Sequence, residues 1–64
     1  MDNIIITFED DTKKEYYKGI KLGDVIRDIS PNKEIICGSL DNVILNHNDT
    51  INHSGKLYLY GLDS

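Results

Sequence analysis

Five residues in the second half of the chain have side chains that act as metal ligands, bases or nucleophiles in many proteins: Cys37, Ser39, His47, Asp49 and His53. Thiolate and imidazole groups are common zinc ligands, and zinc sites often place their ligands in closely spaced pairs. Here Cys37 lies ten residues before His47, and the two histidines are six residues apart. This spacing predicts histidines in a loop and no bound metal.

Covalent catalysis by the same residues is also disfavoured. A cysteine nucleophile needs a nearby base such as His47, but a lone cysteine inside an apolar strand usually acts as a small buried hydrophobe. Ser39 lacks the sequence context of a nucleophile elbow, and the five glycines are too scattered for a phosphate-binding loop. We therefore expect neither enzymatic activity nor a cofactor.

Length and charge narrow the class of protein further. A domain of 64 residues buries only about 60% of its unfolded surface, which leaves little volume for a deep pocket. Eleven acidic and seven basic residues give a net charge of −4, which disfavours binding to nucleic-acid phosphates. One cysteine fits a reducing compartment, and neither a membrane-spanning run nor a signal-peptide pattern is present. The sequence predicts a cytoplasmic domain without membrane contact.

The strands that must position any site are predicted from runs of apolar and β-branched residues. Residues 4–8 are predicted to form a first strand, and Lys13–Tyr17 returns as the second strand of a hairpin. Later strands are predicted at 34–40, 43–45 and 56–60. Asp41 and Asn42 are typical of a tight turn because both tolerate a positive φ.

One helix is predicted over about residues 21–30, ended by Pro31. Its apolar residues repeat at helical spacing and form one stripe: Leu22, Val25, Ile26 and Ile29. Lys21 stands where a serine or threonine would cap the helix, so a contribution of about 1 kcal/mol is absent. A helix this short needs support from a sheet. Ile51 is expected to anchor the following loop to the core.

The resulting order is ββαβ(β)β, with one helix packed across one face of a mixed four- to five-stranded sheet. This is an α+β fold of the β-grasp, or ubiquitin-like, arrangement. The helix is expected to cover the inward side chains of the first and last strands: Ile4, Ile6, Phe8, Leu57 and Leu59. The other sheet face is expected to stay open.

The chain resembles a TGS domain, the β-grasp module of threonyl-tRNA synthetases, OBG-type GTPases, stringent-response (p)ppGpp synthetases and uridine-kinase-like nucleoside kinases. The resemblance is carried by ITFEDDT, by YYKGIKLGDVIRDISP and by ICGSLDNVILNHNDTINHSGKLYLY. It implies a TGS-like domain over residues 1–61, with residues 62–64 starting a linker to a downstream domain. It further implies a non-catalytic regulatory or accessory domain at the N-terminus of a larger enzyme, either a threonyl-tRNA synthetase or a uridine-kinase-like kinase.

Two kinds of partner remain open at this point. The first is a neighbouring domain or a protein, bound through an open sheet face rich in aromatic residues: Ile5, Thr7, Tyr58 and Tyr60. The alternative is RNA, contacted as an appendage of an aminoacyl-tRNA synthetase and disfavoured by the net charge. The basic residues available for it are Lys13, Lys14, Lys18, Lys21 and Arg27.

Overall fold

The computed structural model describes residues 2–62, in which seven strands and one helix follow one another along the chain. They are β1 (Asn3–Thr7), β2 (Lys13–Tyr17), β3 (Ile20–Lys21), α1 (Leu22–Ile29), β4 (Glu34–Leu40), β5 (Val43–Leu45), β6 (Thr50–Ile51) and β7 (Gly55–Leu62). Five strands form a mixed sheet in the order β2-β1-β7-β4-β5, and β3 pairs with β6 separately. The predicted α+β class, one helix on a mixed sheet, is confirmed for the described residues.

The pairing of β1 with β7 is short and determines where the sheet stays open. These two parallel strands share only the residue pairs Ile6↔Gly55 and Thr7↔Lys56. Before that ladder, the Ile5 N–H donates to the Ser54 hydroxyl at 2.9 Å. On its other side β7 pairs antiparallel with β4 along its length, as far as residue 62. Most of β7 therefore extends past the end of β1 and has a neighbouring strand on one side only.

The core lies between α1 and the inner face of the sheet. The most deeply buried side chains come from the helix, from β1 and from the two last strands: Ile6, Leu22, Val25, Ile51 and Leu57. Burying a side chain of this size stabilises the fold by about 1.5–3 kcal/mol. The predicted helical stripe is confirmed, because Leu22 and Val25 are buried and Ile26 and Ile29 pack partly against the same cluster. The predicted anchoring role of Ile51 is confirmed as well.

The N-terminus of α1 is held by a loop and not by a capping side chain. Lys21 makes no side-chain cap, as its type predicts. Instead the Leu22 N–H donates to the carbonyl of Asp49, and the Gly23 N–H donates to the carbonyl of His47, each at 2.9 Å. Two helix N–H groups that have no partner within the helix are thus satisfied by the loop before β6.

Several element boundaries differ from the predicted ones. The first strand is Asn3–Thr7 and not 4–8, because the Phe8 N–H already belongs to the turn and donates to the Thr12 carbonyl. The last strand is longer than 56–60 and runs from Gly55 to Leu62. The short strands β3 and β6 were not predicted, since two residues are too few to show a period. The predicted linker falls partly on residues 63 and 64, outside the described residues.

The tight turn and the end of the helix follow their predicted chemistry. Asp41 and Asn42 both have positive φ, of 51° and 67°, and join β4 to β5 as expected. The helix ends at Ile29 and is followed by Ser30, which has a left-handed conformation with φ of 48° immediately before Pro31. Among the described residues, no helix has the length and apolarity needed to cross a bilayer.

Candidate interaction face

Tyr58 and Tyr60 lie on the sheet face opposite the helix. They alternate along β7 with Leu57, which is fully buried, and with the half-buried Leu59. Because successive side chains of a strand point to opposite faces, the tyrosines point away from the core. Their exposed fractions are 42% and 48%. The predicted outward orientation of both tyrosines is confirmed.

Strand register brings further residues beside the tyrosines. Tyr58 is paired with Ser39 of β4, and Ser39 is paired in turn with Ile44 of β5. Cys37 is paired with Tyr60, whose hydroxyl lies 3.2 Å from the Ser39 hydroxyl. This hydrogen bond satisfies a buried serine and fixes the position of the Tyr60 ring. We call these five residues of three adjacent strands the tyrosine patch.

Ile5 and Thr7 share the open face with the tyrosine patch but lie at a distance from it. β1 and β7 run parallel, and Thr7 is paired with Lys56. Tyr58 lies two residues after this pair on β7, and Ile5 lies two residues before it on β1. Four residues along a strand span about 13 Å. The structure therefore brings the two predicted tyrosines together and leaves Ile5 near the other end of the same face.

Three members of the tyrosine patch were not in the predicted interaction face: Ile44, Cys37 and Ser39. Ile44 is the large apolar one among them. Its side chain is 61% exposed in the edge strand β5. The available signal was the run Val-Ile-Leu at 43–45. A strand with one solvated face normally alternates apolar and polar residues, so three apolar residues in succession indicate that the outer face also makes contacts.

The two histidines serve the loops around them. His47 Nε2 lies 2.7 Å from the carbonyl oxygen of Ile35 and so ties the capping loop to β4. His53 Nδ1 lies 3.1 Å from the Ser54 carbonyl oxygen and 3.4 Å from a carboxylate oxygen of Asp41. Both are thus placed as the loop histidines that the spacing predicts.

The remaining candidates for chemistry are separated as well. The Asp49 carboxylate accepts a hydrogen bond from the Asn46 N–H at 2.7 Å. Cys37 is half-buried on the open face, so it is more accessible than the buried cysteine that its apolar strand predicts. Across residues 2–62, no three histidine, cysteine, aspartate or glutamate side chains come close enough to hold a metal ion.

The basic residues considered for RNA do not share one surface. Lys13 is paired with Thr7 and Lys14 with Ile6, so their side chains leave opposite faces of β2. Lys14 and Arg27 are each engaged by a carboxylate of the helix, at 2.8 Å and 3.0 Å respectively. Lys18 and Lys21 are exposed. The geometry spreads these five cations over several sides of the domain.

A cluster of three polar side chains ties β2 to the helix. The Asp28 carboxylate accepts hydrogen bonds from the Lys14 ammonium at 2.8 Å and from the Tyr16 hydroxyl at 2.9 Å. The bond from Lys14, followed by that from Tyr16, lowers the pKa of Asp28 below its usual range. Burial and the hydrogen bond to Asp28 raise the pKa of Tyr16 above its usual range.

We expect the stability of the domain to fall at acid pH partly through Asp28. Its pKa is lower in the folded than in the unfolded state, where it is about 3.9. The resulting stabilisation is present above about pH 4 and is lost as the pH falls through the folded pKa. Urea unfolding between pH 3 and pH 6 measures the free energy of unfolding as a function of pH. In Asp28→Asn this free energy should change less steeply with pH. An unchanged slope in that variant would contradict the role of this carboxylate.

Comparisons with known proteins assign the chain to no family. No protein-family model matches it, and no curated protein matches its sequence. The grounds for a function are therefore the geometry of the tyrosine patch and the sequence resemblance.

Proposed function

We propose that this chain is a non-catalytic interaction domain that binds a neighbouring domain or a separate protein through the tyrosine patch. One observation carries the proposal. Among residues 2–62, eight large hydrophobic side chains are exposed, and six of them lie on the sheet face opposite the helix: Ile5, Tyr17, Ile44, Tyr58, Tyr60 and Leu62. Three of these six, Ile44, Tyr58 and Tyr60, lie together in the tyrosine patch. An antiparallel sheet face that only meets water is normally polar. Clustered exposed apolar side chains are typical of a surface that another molecule covers.

The arrangement of the elements supports a β-grasp domain of the TGS kind. The first strand β1 and the last strand β7 lie side by side and parallel within the sheet, with the hairpin partner β2 outside β1. The single described helix follows the hairpin and packs on one face. Together with the sequence resemblance, this supports an accessory or regulatory role within a larger enzyme, a threonyl-tRNA synthetase or a uridine-kinase-like kinase.

The chemistry of the tyrosine patch favours a protein over RNA. Its five members carry hydroxyl, thiol, aromatic and aliphatic groups and no positive charge. Lys56 is a cation on the same face; its ammonium lies 5.8 Å from the centroid of the Tyr58 ring and 3.4 Å from the Asp11 carboxylate. Aromatic residues with a polar end are enriched where two protein surfaces meet.

Replacing both patch tyrosines by serine is expected to abolish partner binding. The variant Tyr58→Ser with Tyr60→Ser removes two aromatic anchors, and the loss of such a residue typically weakens binding by tenfold or more. The immobilised chain is used to retain proteins from an extract of its own cells, and the retained proteins are quantified by mass spectrometry. The nucleic acid retained with them is measured in parallel.

Tyr17→Ser is the matched control. Tyr17 is 52% exposed on the same sheet face but lies on β2, away from the patch. This variant should retain the same proteins as the unaltered chain. The double variant loses the hydrogen bond between Tyr60 and the buried Ser39 and should be somewhat less stable, so urea unfolding is used to check that every variant is folded under the conditions of the binding assay. Retention of the same proteins by the double variant, or retention of RNA in place of protein, would contradict the proposed function.

A further inference from the structure

A second surface lies on the helix side of the sheet, at the tip of the first hairpin. It is a groove of about 510 Å³ between the hairpin tip, the end of α1 and β7. Its apolar lining comes from Phe8, Ile29, Leu57 and Leu59, and polar residues of the hairpin tip complete its edge. The short helix ends at Ile29 and leaves this part of the sheet uncovered. We call this surface the peptide groove.

One side of the peptide groove is a free strand edge. The ladder between β1 and β7 ends at the pair Thr7↔Lys56, where the hairpin turns away. In the described residues no ladder covers β7 on the β1 side after that point; Leu57 is itself fully buried there, and the accessible edge begins at Tyr58. A free edge exposes backbone N–H and C=O groups that can pair with another extended chain.

The edge of the peptide groove carries negative charge. Glu9 and Asp10 both line it. Lys14 is the one cation that the described residues contribute to the lining, and it is already engaged by Asp28 at 2.8 Å. The domain as a whole carries a net charge of −4. The Asp10 carboxylate already accepts hydrogen bonds from the N–H and the hydroxyl of Thr12, which leaves Glu9 as the acidic group for a basic side chain to approach. An apolar floor beside these two carboxylates matches a segment that has both apolar and basic side chains.

We propose that the peptide groove binds an extended, basic peptide segment of a partner protein. The segment adds as a strand along the free edge of β7, so that backbone hydrogen bonds hold it. An apolar side chain of the segment packs against Phe8 and Leu59, and a lysine or arginine lies beside Glu9. Strand addition of this kind combines backbone pairing with pockets for alternate side chains.

This site is separate from the tyrosine patch. Leu57 and Leu59 point to the helix side of β7, whereas Tyr58 and Tyr60 point to the opposite face. One partner segment can therefore occupy the groove while the tyrosine patch is free or covered. For the same reason the two proposals fail independently, and loss of both patch tyrosines should leave peptide binding unchanged.

The test uses a short fluorescent peptide of alternating leucine and lysine as the probe. In a strand, every second residue directs its side chain to the same face and its backbone N–H to the same edge. Only the N–H groups of alternate residues of an added strand can therefore bond to β7. Two matched probes are therefore made, one N-methylated at its leucines and the other at its lysines. Strand addition predicts that one modified probe binds like the parent and that the other loses at least about tenfold in affinity.

The variant Glu9→Gln tests the charge and keeps the fold intact, because Glu9 is an exposed turn residue. Its affinity for the probe is expected to fall about two- to fivefold, the size typical of exposed ion pairs. Asp2→Asn removes the same charge from an exposed position outside the groove lining and should have no effect. Amide chemical shifts of Phe8 and Leu59 should move on titration.

Three results would overturn the proposal. The first is no binding of the parent probe at low salt. The second is equal binding of both N-methylated probes, which shows that the backbone edge is not used. The third is self-association of the free chain that shields the Leu59 amide, which shows that a second copy occupies the groove.

Discussion

Replacing Leu57 by alanine is expected to remove about 2–5 kcal/mol from the free energy of unfolding. Leu57 is fully buried and belongs to the same cluster as Ile6, Leu22 and Val25. Alanine at this position loses the burial of the leucine and leaves a cavity at the centre of the core. A chain of 64 residues is stable by about 3–10 kcal/mol in total, at 0.05–0.15 kcal/mol per residue. The loss is a substantial part of that total, so the urea midpoint of the variant should fall clearly below that of the unaltered chain.

Urea unfolding followed by circular dichroism measures this loss. Leu62→Ala is the matched control, because Leu62 is 60% exposed on the same strand. A substitution at such a surface position usually changes stability by less than about 0.5 kcal/mol. If the two variants unfold at the same urea concentration, Leu57 is not at the centre of the core and the described packing is wrong.

The parts of the fold that the sequence predicts well are those with local causes. The helix is correct within one residue at each end, because its apolar side chains repeat at helical spacing. The second strand is correct as Lys13–Tyr17, and the turn at Asp41–Asn42 is correct because few residues accept two positive φ angles in succession. Each of these features is determined by residues close together in the chain.

The features that the sequence does not predict depend on contacts between distant segments. The side chain of Lys21 correctly indicates a missing cap, but nothing local indicates that carbonyls of His47 and Asp49 would take its place. The pairing of Ile20 with Ile51 in β3 and β6 has the same origin. Such short elements exist because the loop that contains them is held on the core.

The candidate surfaces also combine features that a local pattern predicts with features that depend on contacts between distant segments. Alternation along β7 is enough to direct Tyr58 and Tyr60 outward. The presence of Ile44 beside them follows from the register of β4 with both of its neighbours, which no local pattern fixes. The peptide groove follows from the offset between β1 and β7, which pair over two residues only. Both surfaces thus become complete only when the sheet assembles.

Gly38 connects the core to the tyrosine patch, and Gly38→Ala is expected to disturb both. A Cβ at this buried position of β4 would lie 2.9 Å from the carbonyl oxygen of Tyr58 and 3.3 Å from Leu22 Cδ2. The first of these atoms belongs to the backbone of the neighbouring strand, so the strand itself must move. Overpacking of this kind typically costs about 1–3 kcal/mol.

Gly55→Ala is the control that separates backbone strain from the loss of a glycine. Its Cβ would also lie 2.9 Å from a neighbour, but this neighbour is Leu40 Cδ1, the end of a side chain that can rotate. We therefore expect a smaller loss of stability for Gly55→Ala than for Gly38→Ala in urea unfolding. Amide shifts of Tyr58 and Tyr60 should change clearly only in Gly38→Ala, and its partner binding should weaken with them. Equal stability and unchanged tyrosine shifts in both variants would show that β4 and β7 are not in the described register, because a methyl group at Gly38 would then meet no backbone.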